Sequence, residues 1–153
     1  MKKMRRIDRL MTEAETLMLL EKGEYGILSS ADSEGQACGT PVNYVFSGKN
    51  IYVHSALTGA KLDNIKANPK VCFTVVGATK VLPSEFATEY ESVMAFGKAS
   101  IASEEEKEFA LSEIVRKYSP GFMLEGDAYI LANLSNSLVI KIAVEELSGK
   151  HRL

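Results

Sequence analysis

Apolar residues recur along this chain at two spacings, and each change of spacing marks a change of element. Thr12-Glu13-Ala14-Glu15 has the form of a capping box, with hydroxyl and carboxylate each satisfying the other's end of a first helical turn. The helix it opens runs through Leu17, Met18 and Leu20 and is expected to stop near Gly23. Residues 24–31 then read as a strand, Asp-Ser-Glu-Gly at 32–35 as a turn and residues 36–46 as a second strand. A Ser-Gly-Lys-Asn turn leads into a third strand, Ile-Tyr-Val-His-Ser at 51–55. Strands joined by such short turns predict an antiparallel meander. Pro41 removes a ladder donor from the second strand, which predicts an edge, a bulge or a place where a ligand meets the backbone.

A short helix over 60–67 is stopped by Pro69, and residues 70–77 form a fourth strand. The stretch 78–90, with Pro83, reads as irregular, and residues 91–102 as a long fifth strand. Ser103-Glu104-Glu105-Glu106 is a second capping box, opening a helix whose Phe109, Leu111, Ile114, Val115 and Tyr118 recur at helical spacing. That stripe predicts core or dimer packing, and Ser119-Pro120-Gly121 ends it. A last strand over 137–147 alternates Leu138, Ile140, Ile142 and Val144 with Val139, Lys141, Ala143 and Glu145. Residues 1–10 read as a basic arm and 148–153 as a C-terminal tail. Without repeats, low-complexity tracts or linkers, residues 1–153 form one domain. The expected class is mainly β (α+β): six antiparallel strands in a small barrel with flanking helices. A doubly wound parallel sheet would need strict strand–helix alternation, which is absent.

Composition narrows the function classes. Apolar residues at 46% and charged residues at 25% are those of an ordinary globular domain. A net charge of −2 argues against nucleic acid as the main partner. Lys2, Lys3, Arg5, Arg6 and Arg9 form the one basic cluster and read as a solvated arm. No apolar run has membrane-spanning length and no signal-type apolar segment follows the N-terminal charges, so a cytoplasmic location is expected. Cys38 and Cys72 lie in apolar, strand-like settings and are expected to be buried, unpaired and uncatalytic. With His54 and His151 the only histidines, no conventional metal site is expected.

The stretch 50–76 carries most of the chemistry. A strand ends in His54-Ser55, passes a Thr58-Gly59 turn and enters a helix bearing Lys61. Hydroxyls, an imidazole, a lysine and a helix N-terminus around one strand end are what a phosphate requires. A lysine in the first turn opposes the helix macrodipole, and a bound dianion reverses that sign. Ser55 and Thr58 are the hydroxyl donors of this reading.

Four segments, taken in order, resemble a known family: Glu-Lys-Gly-Glu-Tyr-Gly at 21–26, Pro-Val-Asn-Tyr at 41–44, the run at 54–73 and Tyr-Glu-Ser-Val-Met-Ala-Phe-Gly-Lys-Ala at 90–99. Over roughly residues 4–147 the chain resembles the pyridoxamine 5′-phosphate oxidase-related FMN-binding proteins, and within them the nitroimidazole-resistance branch. The resemblance implies a split β-barrel that dimerises, with FMN in clefts between the subunits. Pro41, Val42 and Asn43 would lie against the flavin ring. The segment from His54 to Lys61, with Ser55, Ala56 and Thr58, would hold its phosphate end; Asn64 on the same helix is a further candidate, and Tyr90 and Ser92 would reach the partner's flavin. The oxidase itself would carry arginine-rich motifs and a longer C-terminal arm. Here the five arginines, Arg5, Arg6, Arg9, Arg116 and Arg152, all fall outside the predicted strands. The function implied is an FMN-dependent oxidoreductase passing electrons from a nicotinamide donor to a small acceptor such as a nitroaromatic, with no catalytic side chain identified. The alternative on the same dimeric fold is a non-catalytic module holding flavin, deazaflavin or haem, with His54 as the axial candidate.

Overall fold

The computed structural model describes residues 5–153, so Lys2 and Lys3 of the basic arm lie outside the described residues. The elements are α1 (Glu13–Lys22), β1 (Gly26–Ala31), β2 (Ala37–Val42), β3 (Val45–Ser47), β4 (Asn50–Ser55), α2 (Ala60–Ala67), β5 (Lys70–Leu82), β6 (Ala87–Ile101), α3 (Glu104–Tyr118), α4 (Met123–Asn133) and β7 (Leu138–Arg152). Both capping boxes form as predicted, Thr12 with Glu15 and Ser103 with Glu106.

The strands make one antiparallel seven-stranded sheet in the order β2-β1-β5-β6-β7-β4-β3. The predicted second strand is therefore two, interrupted at Asn43-Tyr44, and the predicted meander is two hairpins at opposite ends of the sheet. Because β2 and β3 are the two edges yet only two residues separate them, the sheet must curl until its edges meet. The result is a barrel closed everywhere except along the β2/β3 seam. Pro41 lies on edge strand β2, where the missing donor is harmless.

Two predicted boundaries move for identifiable reasons. Residues 78–90 are a continuation of the β5–β6 hairpin, with Thr79 to Leu82 paired to Tyr90 to Ala87. A bulge between Val76 and Thr79 breaks the alternation there and hides the strand from pattern reading. Residues 148–153 are largely strand, since β7 continues to Arg152, with Gly149 opposite Val93 and His151 opposite Glu91. Arg152 is accordingly in a barrel strand. The basic arm is also partly structured: a 3-10 turn covers Ile7–Arg9, and Leu10 bridges to Lys150. The pattern over 122–136 predicts no element, yet α4 forms there. It packs so closely on α3 that a Cβ at Gly126 would run into Val115 Cγ1.

The barrel interior is filled by Leu28, Ile51, Val53, Phe73, Val75, Val93, Ile140 and Ile142, and Leu20 of α1 and Leu62 of α2 complete the same core. A second cluster, with Tyr52, Val139, Ala110 and Leu111, holds α3 on the outside of the sheet. Among the described residues no helix is long and apolar enough to cross a membrane.

Candidate site along the barrel seam

The seam leaves backbone groups at Asn43-Tyr44 without a neighbouring strand, and α3 supplies the substitute. The Tyr118 hydroxyl accepts the Tyr44 N–H at 3.0 Å and donates to the Glu24 carbonyl at 2.7 Å, with the Tyr44 carbonyl 3.1 Å away. Tyr44 itself is fully buried, its hydroxyl donating to the Leu20 carbonyl and its ring edge-on to Phe73. Burial raises the Tyr44 pKa, so the phenol stays protonated. Lys117 turns its ammonium onto the Tyr44 ring, 3.9 Å from the centroid, and finds no hydrogen bond there. Desolvation lowers its pKa to about 8. Sequence spacing offered no sign of this clamp, because Tyr118 lies 74 positions from Tyr44 and its stripe reads as packing. Asn43 is left exposed at the seam, beside exposed Pro41 and half-buried Val42.

The 54–61 segment follows β4, whose C-terminal end lies towards the start of β3, with Val45 opposite Tyr52. β4 ends at Ser55, and Gly59, at φ 139°, turns the chain into α2 in a conformation that side chains rarely adopt. No side chain caps this helix; its first bonds run from the Leu62 and Asp63 amides to the Gly59 carbonyl. The amides before them therefore remain available to an anion. His54 is exposed and Lys61 half-buried, and the two are close enough to interact. Partial burial, and after it the Lys61 charge, lowers the His54 pKa. Ala56 and Thr58 are exposed in the turn, whereas Ser55 is buried. Asn64 is buried too, its amide donating to the Ser30 hydroxyl at 3.1 Å. It fastens α2 to β1 rather than facing outward.

β1 contacts both the seam strand β2 and α2. Val42 is paired with Gly26, while α2 is anchored on Ser30, about 13 Å further along an extended strand. Tyr90 and Ser92 are not brought to this place within one chain. They lie near the start of β6, opposite Arg152 and Lys150, whereas the end of β6 at Ile101 approaches the β4 terminus through β7.

The outer face of the sheet joins these pieces. A cross-strand row runs Pro41, Ile27, Thr74, Met94 and Ser148, and the next runs Gly39, Ser29, Cys72 and Phe96. Tyr90 and Ser92 continue the Met94 line along β6. Both cysteines are free, but only Cys72 is shielded, with burial raising its thiol pKa. Cys38 is exposed, contrary to the expectation of a buried thiol, because it sits on an edge strand. Among the described residues no cluster of His, Cys, Asp or Glu is gathered to hold a metal ion.

Comparison with known proteins gives a consistent result. A family model described as pyridoxamine 5′-phosphate oxidase matches residues 12–151. No curated protein matches the chain. Solved structures with the same fold include a candidate 5-nitroimidazole antibiotic resistance protein of Bacteroides thetaiotaomicron, at 23% identity and TM-score 0.75, covering 94% of this chain and 86% of that one. An FAD-binding protein of Mesorhizobium loti superposes at 22% identity and TM-score 0.68, covering 95% and 98%. The flavocytochrome of Azotobacter vinelandii does so at 19% identity and TM-score 0.82, covering 99% and 72%. At these identities the likeness is one of fold.

Proposed function

The chain belongs to the pyridoxamine 5′-phosphate oxidase family, and from that membership we propose that it is a flavin-dependent oxidoreductase, working as a homodimer with FMN as its flavin. The observation that carries this reading is the uncapped N-terminus of α2, accompanied by Lys61 and His54. The donor set suits a phosphate dianion: free helix amides, one permanent cation and an imidazole, with Thr58 in the turn. Asp63 in the same first turn is the one opposing charge. Pro41 and Val42 offer an apolar floor on an edge strand, and Asn43 offers an amide. The FAD-binding relative and the flavocytochrome of the same fold add weight to a flavin.

The bound flavin would supply the redox chemistry, accepting hydride from a reduced nicotinamide and passing electrons to a small acceptor such as a nitroaromatic. The chain's own residues then bind, orient and exclude water. The proposed dimer face is the outer sheet with its rows through Thr74, Met94 and Phe96, which would bring the partner's copies of the Tyr90–Ser92 line towards the seam. The test is the visible spectrum of purified protein, with the released cofactor identified after denaturation. FMN bound at about one per chain, reducible by a nicotinamide donor, is the expected result. A Soret band, or a colourless protein that takes up no added FMN, would overturn the proposal.

A further inference from the structure

The long β5–β6 hairpin ends in a turn whose apolar residues are not covered. Phe86 is 98% exposed and Val81 68% exposed. Together with Pro83 they line one side of a shallow, open surface cavity of about 550 Å³, whose other side is Arg9, Tyr90 and Arg152. Lys150 flanks it, its ammonium 5.6 Å from the Tyr90 ring centroid. Three separate segments converge here: the 3-10 turn after the N-terminus, the hairpin, and the end of β7.

Positive charge is in excess at this place, although Asp8 lies close enough to Arg9 for that guanidinium to help lower its pKa. Arg6 is spent on Asp8 at 2.6 Å and Lys80 on Glu89 at 3.8 Å. Glu15 is engaged by its capping box and Glu91 faces the Ala78 amide. Among the described residues Arg9, Lys150 and Arg152 make no ion pair. Cations gathered in excess of their counter-charges repel one another, and an anion placed among them reduces that cost. The Tyr90 pKa is lowered, chiefly by Lys150 and then by Arg9, which puts both cations at its hydroxyl. A bare anion would have no use for the exposed Phe86 and Val81, whereas a phosphate joined to a flat ring would use both sides.

We propose that this cavity binds a nucleotide, with Arg9, Lys150 and Arg152 on the phosphate and Tyr90 with the hairpin turn against the ring. Its role rests on the flavin reading above, as the seat of either a dinucleotide electron donor or the adenylate half of a flavin dinucleotide. Binding itself does not depend on that reading.

The experiment is calorimetric titration of the purified protein with ADP and with adenosine, for wild type, Arg9→Gln/Arg152→Gln and Tyr90→Phe, with the thermal midpoint of each variant recorded. ADP should bind at least tenfold more tightly than adenosine. The double variant should lose roughly tenfold or more in ADP affinity with little change for adenosine, and added salt should weaken ADP alone. Tyr90→Phe keeps the ring and should keep most of the affinity. A second arm measures NADH and FAD against FMN. Loss for NADH alone in the double variant assigns the donor, and loss for FAD relative to FMN assigns the adenylate half. ADP binding no tighter than adenosine, or a folded double variant that binds ADP like wild type, overturns the proposal. Failure of the flavin reading would appear separately, as absent flavin absorbance with ADP binding intact.

Discussion

At His54 the protein holds an imidazole that is open to solvent on one side and desolvated on the other, with Lys61 nearby. Both influences disfavour the imidazolium, so the group is held neutral to a lower pH than an ordinary histidine. A phosphate dianion at the start of α2 acts in the opposite sense and favours the charged ring. The pKa of His54 is therefore expected to be higher in the FMN complex than in the riboflavin complex, which lacks the phosphate. By linkage, FMN affinity should rise as pH falls through the His54 pKa of the complex. Imidazole NMR titrations of the two complexes read this directly. Identical His54 curves would place the phosphate elsewhere. That His54, Thr58 and Lys61 gather around one strand end was legible from their order alone, because strand end, turn and lysine are neighbours in sequence. The inward roles of Ser55 and Asn64 were not, since strand and helix phase decide which side chains turn into the core.

At the scale of elements, the seam is the part of the fold that local pattern could not show. Residues 36–46 alternate well enough to pass for one strand, and the break at Asn43-Tyr44 exists only because two barrel edges meet there. Tyr118 compensates for the missing strand by accepting one backbone N–H and donating to a carbonyl. Tyr118→Phe keeps the ring and removes those bonds, leaving a part-buried amide without its partner. The expected cost is about 1–3 kcal/mol of stability, read as a lower urea midpoint with an unchanged m-value. A change below ~0.5 kcal/mol would show that water replaces the hydroxyl and that α3 does not clamp the seam. The other elements were predictable where a cap, a proline or unbroken alternation marked them, as for α1, α2, α3 and β4. They were misjudged where a bulge interrupted the period, as in β5, or where the apolar alternation ran out before the strand did, as after Leu147 in β7.

The whole molecule presents an outer sheet face whose two central rows contain Ile27, Thr74, Met94, Cys72 and Phe96 and no charged residue between Pro41 and Ser148 in the first. Met94 is 42% exposed at its centre. If this face joins two copies, an obligate interface of at least ~2,000 Å² is expected, and Met94→Glu should turn a dimer into a monomer that also loses flavin. Sedimentation velocity distinguishes the states, and a wild-type monomer loaded with flavin at micromolar concentration would refute the arrangement. The central claim, that this barrel holds a flavin mononucleotide by its phosphate at the start of α2, is tested most directly by titrating FMN and riboflavin into wild type and Lys61→Ala. Loss of a charge-assisted contact should weaken FMN by roughly ten- to a hundredfold and leave riboflavin nearly unchanged. Equal losses for both ligands, or an unchanged FMN affinity, would contradict it and leave Lys61 a surface lysine.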